Sequence, residues 1–173
     1  VHAAESELGM TPHQEQIVAS LVLIDSKLAE MRTGEGKTLS AAIAAAHLAL
    51  SGRRVHLLTA NEYLATRDAS WMGPLYEGLG LVCTSVTETM PAQDKQTAYG
   101  ADIIYLTAKQ AGFDYLIDSL RFDPASRNQT GLDACIVDEA DFLLIDEARH
   151  PLVVAARTAT DERPDPPMLD RIV

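Results

Sequence analysis

Two short stretches of this chain hold residue types that chemistry needs. The run "MRTGEGKT" (residues 31–38) places Gly34, Glu35, Gly36, Lys37 and Thr38 immediately before an alanine-rich segment. The run "VDEAD" (residues 137–141) places Asp138 and Glu139 directly after an apolar one. A phosphate chain is densely negative and needs several donors close together with no side chains in the way. Glycines at 34 and 36 let a backbone fold around an anion and aim N–H groups at it. The start of a following helix adds its positive end. Lys37 has the reach for β- and γ-phosphates, and the Thr38 hydroxyl can bind Mg²⁺. Such a site also needs a carboxylate for the metal at the end of another strand, and Asp138 is so placed. Glu139 beside it can polarise a water for attack on the γ-phosphate. The cofactors read from these residues are ATP and Mg²⁺. Upstream, the Gln16 amide can both donate to and accept from an adenine edge.

Each motif has a plainer reading. Met31 stands where the pattern G-x-x-x-x-G-K-S/T has its first glycine, so the run could be a glycine turn that caps a helix. The acids of "DEADFLLIDE" could be a solvated turn, and Gln16 an ordinary helix glutamine. The two runs occurring together favour the phosphate site.

The elements that must position these residues alternate in type. Thr11, Pro12 and Gln14 read as a capping box opening a helix that runs to about Ile24. Residues 28–31 read as a short strand and 39–50 as a helix stopped by Ser51-Gly52. Strands follow at 55–60, 81–86, 102–107 and 134–137. Helices are expected over 61–80, with Asn61 as cap and Pro74 as a break or second start, over 91–100 from Pro91, and over 109–120. A helical turn over 142–149 and a last strand over 151–156 close the sequence of elements. Strands alternating with helices predict an α/β domain with a parallel sheet covered by helices on both faces. Such sheets bind ligands beyond the carboxyl ends of their strands.

The bulk properties bound the answer. The chain has 173 residues, 47% of them apolar, which suits a single domain with a sizeable core. Its net charge is -11, which disfavours general nucleic-acid binding. Cys83 and Cys135 sit in apolar segments and read as buried thiols, and no residues show metal-ligand spacing. The five histidines read as surface or satisfied core positions, and Trp71 as helix packing. The apolar run over 41–50 is too short to span a bilayer, and no signal peptide is visible, so a cytoplasmic domain is the simplest expectation.

With these motifs in place the chain resembles the first nucleotide-binding domain of the SecA preprotein translocase ATPases. The likeness runs from about Gly9 to Val154. It rests on "GM" ahead of Gln16, "AEMRTGEGKT", "VHLLTANEYLATRDA", "YGADIIY", "GFDYLIDSL", "VDEAD" and "LIDEARHPLVV". That family also carries methionine at the position of Met31. The resemblance implies a RecA-like P-loop fold over residues 1–156 and a linker or start of the next domain over 157–173. It implies that Met10 lines the base pocket and Gln16 reads adenine. Gly34, Glu35, Gly36, Lys37 and Thr38 would form the phosphate loop, Asp138 the Mg²⁺ carboxylate and Glu139 the catalytic glutamate. Arg67 matches a family arginine with a structural or coupling role.

The chain departs from the family at Thr107-Ala108-Lys109, Ile117, Ser119, His150 and Ala155-Ala156, which suggests a divergent or accessory type. The implied activity is ATP hydrolysis coupled to preprotein export through a membrane channel, with the full-length protein cytoplasmic and peripherally membrane-associated. A second motor domain, which supplies a charge-stabilising arginine, lies outside these residues, so weak nucleotide binding and little turnover are expected of this piece. A helicase motor of the DEAD superfamily and a non-catalytic nucleotide-sensing module are the competing functions.

Overall fold

A computed structural model of the chain describes residues 1–129, 131–149 and 151–152. The elements in chain order are α1 (His2–Leu8), α2 (Gln14–Ile24), α3 (Lys37–Leu50), β1 (Val55–Thr59), α4 (Glu62–Gly78), β2 (Cys83–Ser85), α5 (Ala92–Ala98), β3 (Ile103–Thr107), α6 (Ala108–Ser119) and β4 (Ala134–Val137). A π-helical turn, Phe142–Asp146, follows β4. The strands form one parallel sheet in the order β2-β3-β1-β4. This is the α/β, RecA-like architecture that the alternation of elements predicts.

The register decides which residues share a face. Val55 lies level with Ile103 and Ala134, and Leu57 with Tyr105 and Ile136. These side chains pack against the alanines of α3 and against Ala4, Ala65, Met72 and Tyr76 of α1 and α4. Alanine at so many α3 positions lets the helix lie close to the sheet. The opposite face carries Ile104 and Leu106, which pack with Val86, Ala98 and Tyr99. Behind that layer Asp114 is almost fully buried. It accepts from Lys95 Nζ at 3.2 Å, Tyr99 Oη at 2.8 Å and Gln110 Nε2 at 2.7 Å, which ties α5 to α6. Burying a charge is tolerable only with such partners.

Several expectations are corrected. Residues 28–31 form no strand, and Leu28 is 82% exposed. A strand exists only through pairing, and β4, the sheet edge, is not paired with this segment. Helix α2 begins at Gln14 with His13 as cap, because the Gln16 Oε1 accepts the His13 N–H at 2.9 Å. Helix α1 had no sequence signal that set it apart. Pro74 neither breaks nor restarts α4; the carbonyl it leaves unbonded belongs to exposed Ser70 and can meet water. Trp71, on the same outer face, is 47% exposed. Cys83 is half-buried and packs against the main core, but Cys135 on β4 is exposed. His56 is buried with its Nε2 unpartnered among the described residues, so it is not a satisfied core histidine. Of the expected strand over 151–156, Pro151 and Leu152 form no strand, and the rest, with 157–173, lies outside the described residues.

Candidate functional site

The phosphate loop is built by its neighbours. Gly34 and Gly36 have φ of +88° and +84°, a region that costs any residue with a Cβ roughly 1–2 kcal/mol. Gly36 caps α3, so Lys37 and Thr38 are its first residues. Residues 32–35 are exposed, while Gly36, Lys37 and Thr38 are half-buried. Arg32 to Glu35 close a turn: the Glu35 N–H donates to the Arg32 carbonyl at 3.2 Å. The Arg32 N–H in turn donates to the Glu35 carboxylate at 2.7 Å.

Gln16 is brought directly onto this loop. Its Nε2 donates to the Glu35 carbonyl at 2.9 Å. A Cβ on residue 36 would stand 2.1 Å from that nitrogen, so any other residue there would have to push the Gln16 amide off this bond. The Ser20 hydroxyl lies 2.8 Å from the Gln16 carbonyl and 2.9 Å from the Ser40 carbonyl, which stitches α2 to α3 beneath the loop. Met10 is partly buried against the main core, at the end of the turn that leads into α2.

Topology places the acids. Helix α3 joins β1 through residues 51–54 and packs across the sheet. Its C-terminal end therefore sits at the edge where β1 begins, and its N-terminal end at the carboxyl edge. That is the edge where β4 delivers Asp138, whose N–H donates to the Leu58 carbonyl at 2.9 Å. The Asp138 Oδ1 accepts the Glu139 N–H at 3.0 Å. Glu139 has φ of +52°. A non-glycine residue held there stores strain, and such strain concentrates at functional sites.

The structure adds what sequence reasoning missed. Asp68 is buried on α4, bonded by Arg67 Nε at 2.8 Å and Nη2 at 2.7 Å. Burial pushes its carboxyl above the ordinary range, the Arg67 guanidinium opposes this, and the Asp138 charge adds to it. Asp68 thus lies within electrostatic reach of Asp138. The available signal was an acid on the stripe of Ala65, Ala69 and Met72 that faces the core. Beside Asp138 a cleft of about 990 Å³ opens over the strand ends, lined by Thr59, Asn61, Thr107 and Phe142 among others. None of residues 31–38 lines it. Glu62, Glu88 and Asp138 face it, and its two lysines are engaged, Lys95 with Asp114 and Lys109 with Glu88 at 3.8 Å.

Comparison with known proteins settles the kinship. The family model described as the SecA DEAD-like domain matches residues 1–171. The chain belongs to the SecA DEAD-like domain family. It is 50% identical to the protein translocase subunit SecA of Nitrosomonas eutropha over 159 residues, 92% of this chain and 18% of that relative. The protein translocase subunit SecA of Xylella fastidiosa is 50% identical over 163 residues, 94% of the chain and 18% of the relative. That of Ectopseudomonas mendocina is 47% identical over 155 residues, 90% of the chain and 17% of the relative. This SecA-type domain thus spans under a fifth of the length of each of these relatives. Among the described residues, no helix is long and apolar enough to cross a membrane.

Proposed function

We propose that this domain binds ATP with Mg²⁺ and serves as the first motor domain of a SecA-type protein translocase, coupling ATP hydrolysis to preprotein export. The observation that carries the reading is the glycine turn at residues 34–36, which opens α3 with Lys37 and Thr38 at its positive end. The donor set suits the cofactor: backbone N–H groups and an ammonium for phosphates, a hydroxyl and a carboxylate for Mg²⁺. Nucleotide would be held by Met10, Gln16, Gly34, Glu35, Gly36, Lys37 and Thr38, and the metal by Thr38 and Asp138. The bound Mg²⁺ supplies charge neutralisation between the phosphates.

The chain's own residues do the rest. Lys37 orients the terminal phosphates. Glu139 holds the attacking water and takes up its proton, from a backbone geometry that keeps its carboxylate exposed at the strand end. Gln16 couples the base to the loop through its bond to Glu35. The partners of the whole protein are preproteins, a second motor domain and a membrane channel, with the protein cytoplasmic and peripherally membrane-associated. The acidic cleft beside Asp138 supports this over a nucleic-acid motor, since a polyanion would meet carboxylates there and lysines already engaged.

The test is titration of the chain with ATP, with and without Mg²⁺, beside Lys37→Ala. Loss of a charge-assisted contact to phosphate is expected to weaken MgATP binding about tenfold or more. Equal affinity in the two proteins would remove the phosphate site. In the full-length protein Glu139→Gln is expected to retain bound ATP without turnover; normal hydrolysis would exclude Glu139 as the base.

A further inference from the structure

A carboxylate inside a phosphate loop is an electrostatic oddity. Glu35 sits between the two loop glycines, and its own charge opposes the anion that the loop is shaped to hold. Its side chain is nonetheless put to use, accepting the Arg32 N–H at 2.7 Å. The Glu35 N–H returns a bond to the Arg32 carbonyl at 3.2 Å, and the Glu35 carbonyl accepts from Gln16 Nε2 at 2.9 Å. The N–H, the carbonyl and one carboxylate oxygen of this exposed residue thus each make a bond within or beside the loop. Gln16 is held at both ends of its amide, since its Oε1 takes the His13 N–H, which leaves one N–H and one lone pair for a base edge.

We propose that the Glu35 carboxylate limits nucleotide affinity: it fixes the loop's turn through the Arg32 N–H, and its charge opposes the phosphates held by the neighbouring N–H groups and speeds their release. This rests on the phosphate-site reading above. The residue so acts as an affinity-limiting group, a trait that suits a domain required to let go of its product in every cycle. Two effects separate by chemistry. The acceptor oxygen shapes the turn, and glutamine preserves it. The negative charge opposes phosphate, and glutamine removes it. Alanine removes both.

The experiment titrates the chain with MgADP, inorganic pyrophosphate and adenosine by NMR chemical-shift perturbation at low and high salt. The proteins are the parent, Glu35→Gln, Glu35→Ala and Lys37→Ala. Glu35→Gln is expected to bind MgADP and pyrophosphate about three- to tenfold more tightly at low salt, the size of one exposed charge acting on a multiply charged ligand. The gain should shrink at high salt, and adenosine affinity should not change. Glu35→Ala should gain less than Glu35→Gln, because the turn loosens as the charge goes. A purely structural Glu35 would shift adenosine and phosphate ligands alike, or lower affinity in both variants, and either result overturns the proposal. If Lys37→Ala weakens MgADP binding while Glu35→Gln leaves it unchanged, this inference alone fails. If Lys37→Ala also leaves it unchanged, the phosphate-site reading fails, and the proposal with it.

Discussion

Single residues of the loop differ in what their substitution should cost. Gly34 and Gly36 share a left-handed backbone, but only residue 36 is crowded: a Cβ at 34 meets nothing within 4 Å, whereas one at 36 meets Gln16 Nε2 at 2.1 Å. Gly34→Ala is therefore expected to lose about 1 kcal/mol, the backbone strain alone. Gly36→Ala should lose more, by at least about 1 kcal/mol, since the buried Gln16 must also move. It should weaken nucleotide binding well beyond Gly34→Ala. Urea denaturation and MgADP titration of both variants check this; equal effects would mean that the Gln16 contact has no weight. The glycine spacing and the lysine-threonine pair were legible in the sequence because they are local. The Gln16 contact was not, because it joins residues about twenty positions apart through side-chain placement.

At the scale of an element, β1 carries a titratable group where a strand in this sheet would ordinarily be apolar. His56 lies level with Ile104 and Cys135. Its ring centroid is 5.9 Å from that of Tyr99, and its Nε2 has no partner among the described residues. Burial holds its pKa below the ordinary 6.5, the nearby Arg54 charge lowers it further, and Asp133 partly offsets both. The folded state therefore prefers the neutral ring. As pH falls through 6.5 the unfolded chain takes up a proton that the folded one resists, so stability declines with falling pH. Above that value both states are neutral and the penalty vanishes. We expect urea midpoints to fall between about pH 7 and about pH 5.5, before carboxylates titrate, with a flatter profile for His56→Leu. Identical slopes would show that another group carries the dependence. The strand itself was legible from its apolar run. The orphaned nitrogen was not, since partners follow from packing.

For the whole molecule, the question is whether one domain suffices for turnover. The SecA resemblance implies a charge-stabilising arginine on a second motor domain, a contribution of about 10³-fold or more in comparable enzymes. The chain alone is therefore expected to bind MgATP but turn it over slowly, as phosphate-release assays would read. Rapid turnover would place that stabilisation within residues 1–173. By itself the sequence determined the alternation of strands and helices, the parallel sheet, the two motifs and the family, because periodicity, glycine turns and motif spacing are written in neighbouring residues. Only the tertiary structure decided that residues 28–31 remain unpaired, that Cys135 lies on an open edge, that Asp68 is buried near Asp138, and that Gln16 bonds the Glu35 carbonyl of the glycine loop. Each of these depends on which distant segment packs alongside, and burial, pairing and electrostatic coupling arise only once the chain has brought those segments together.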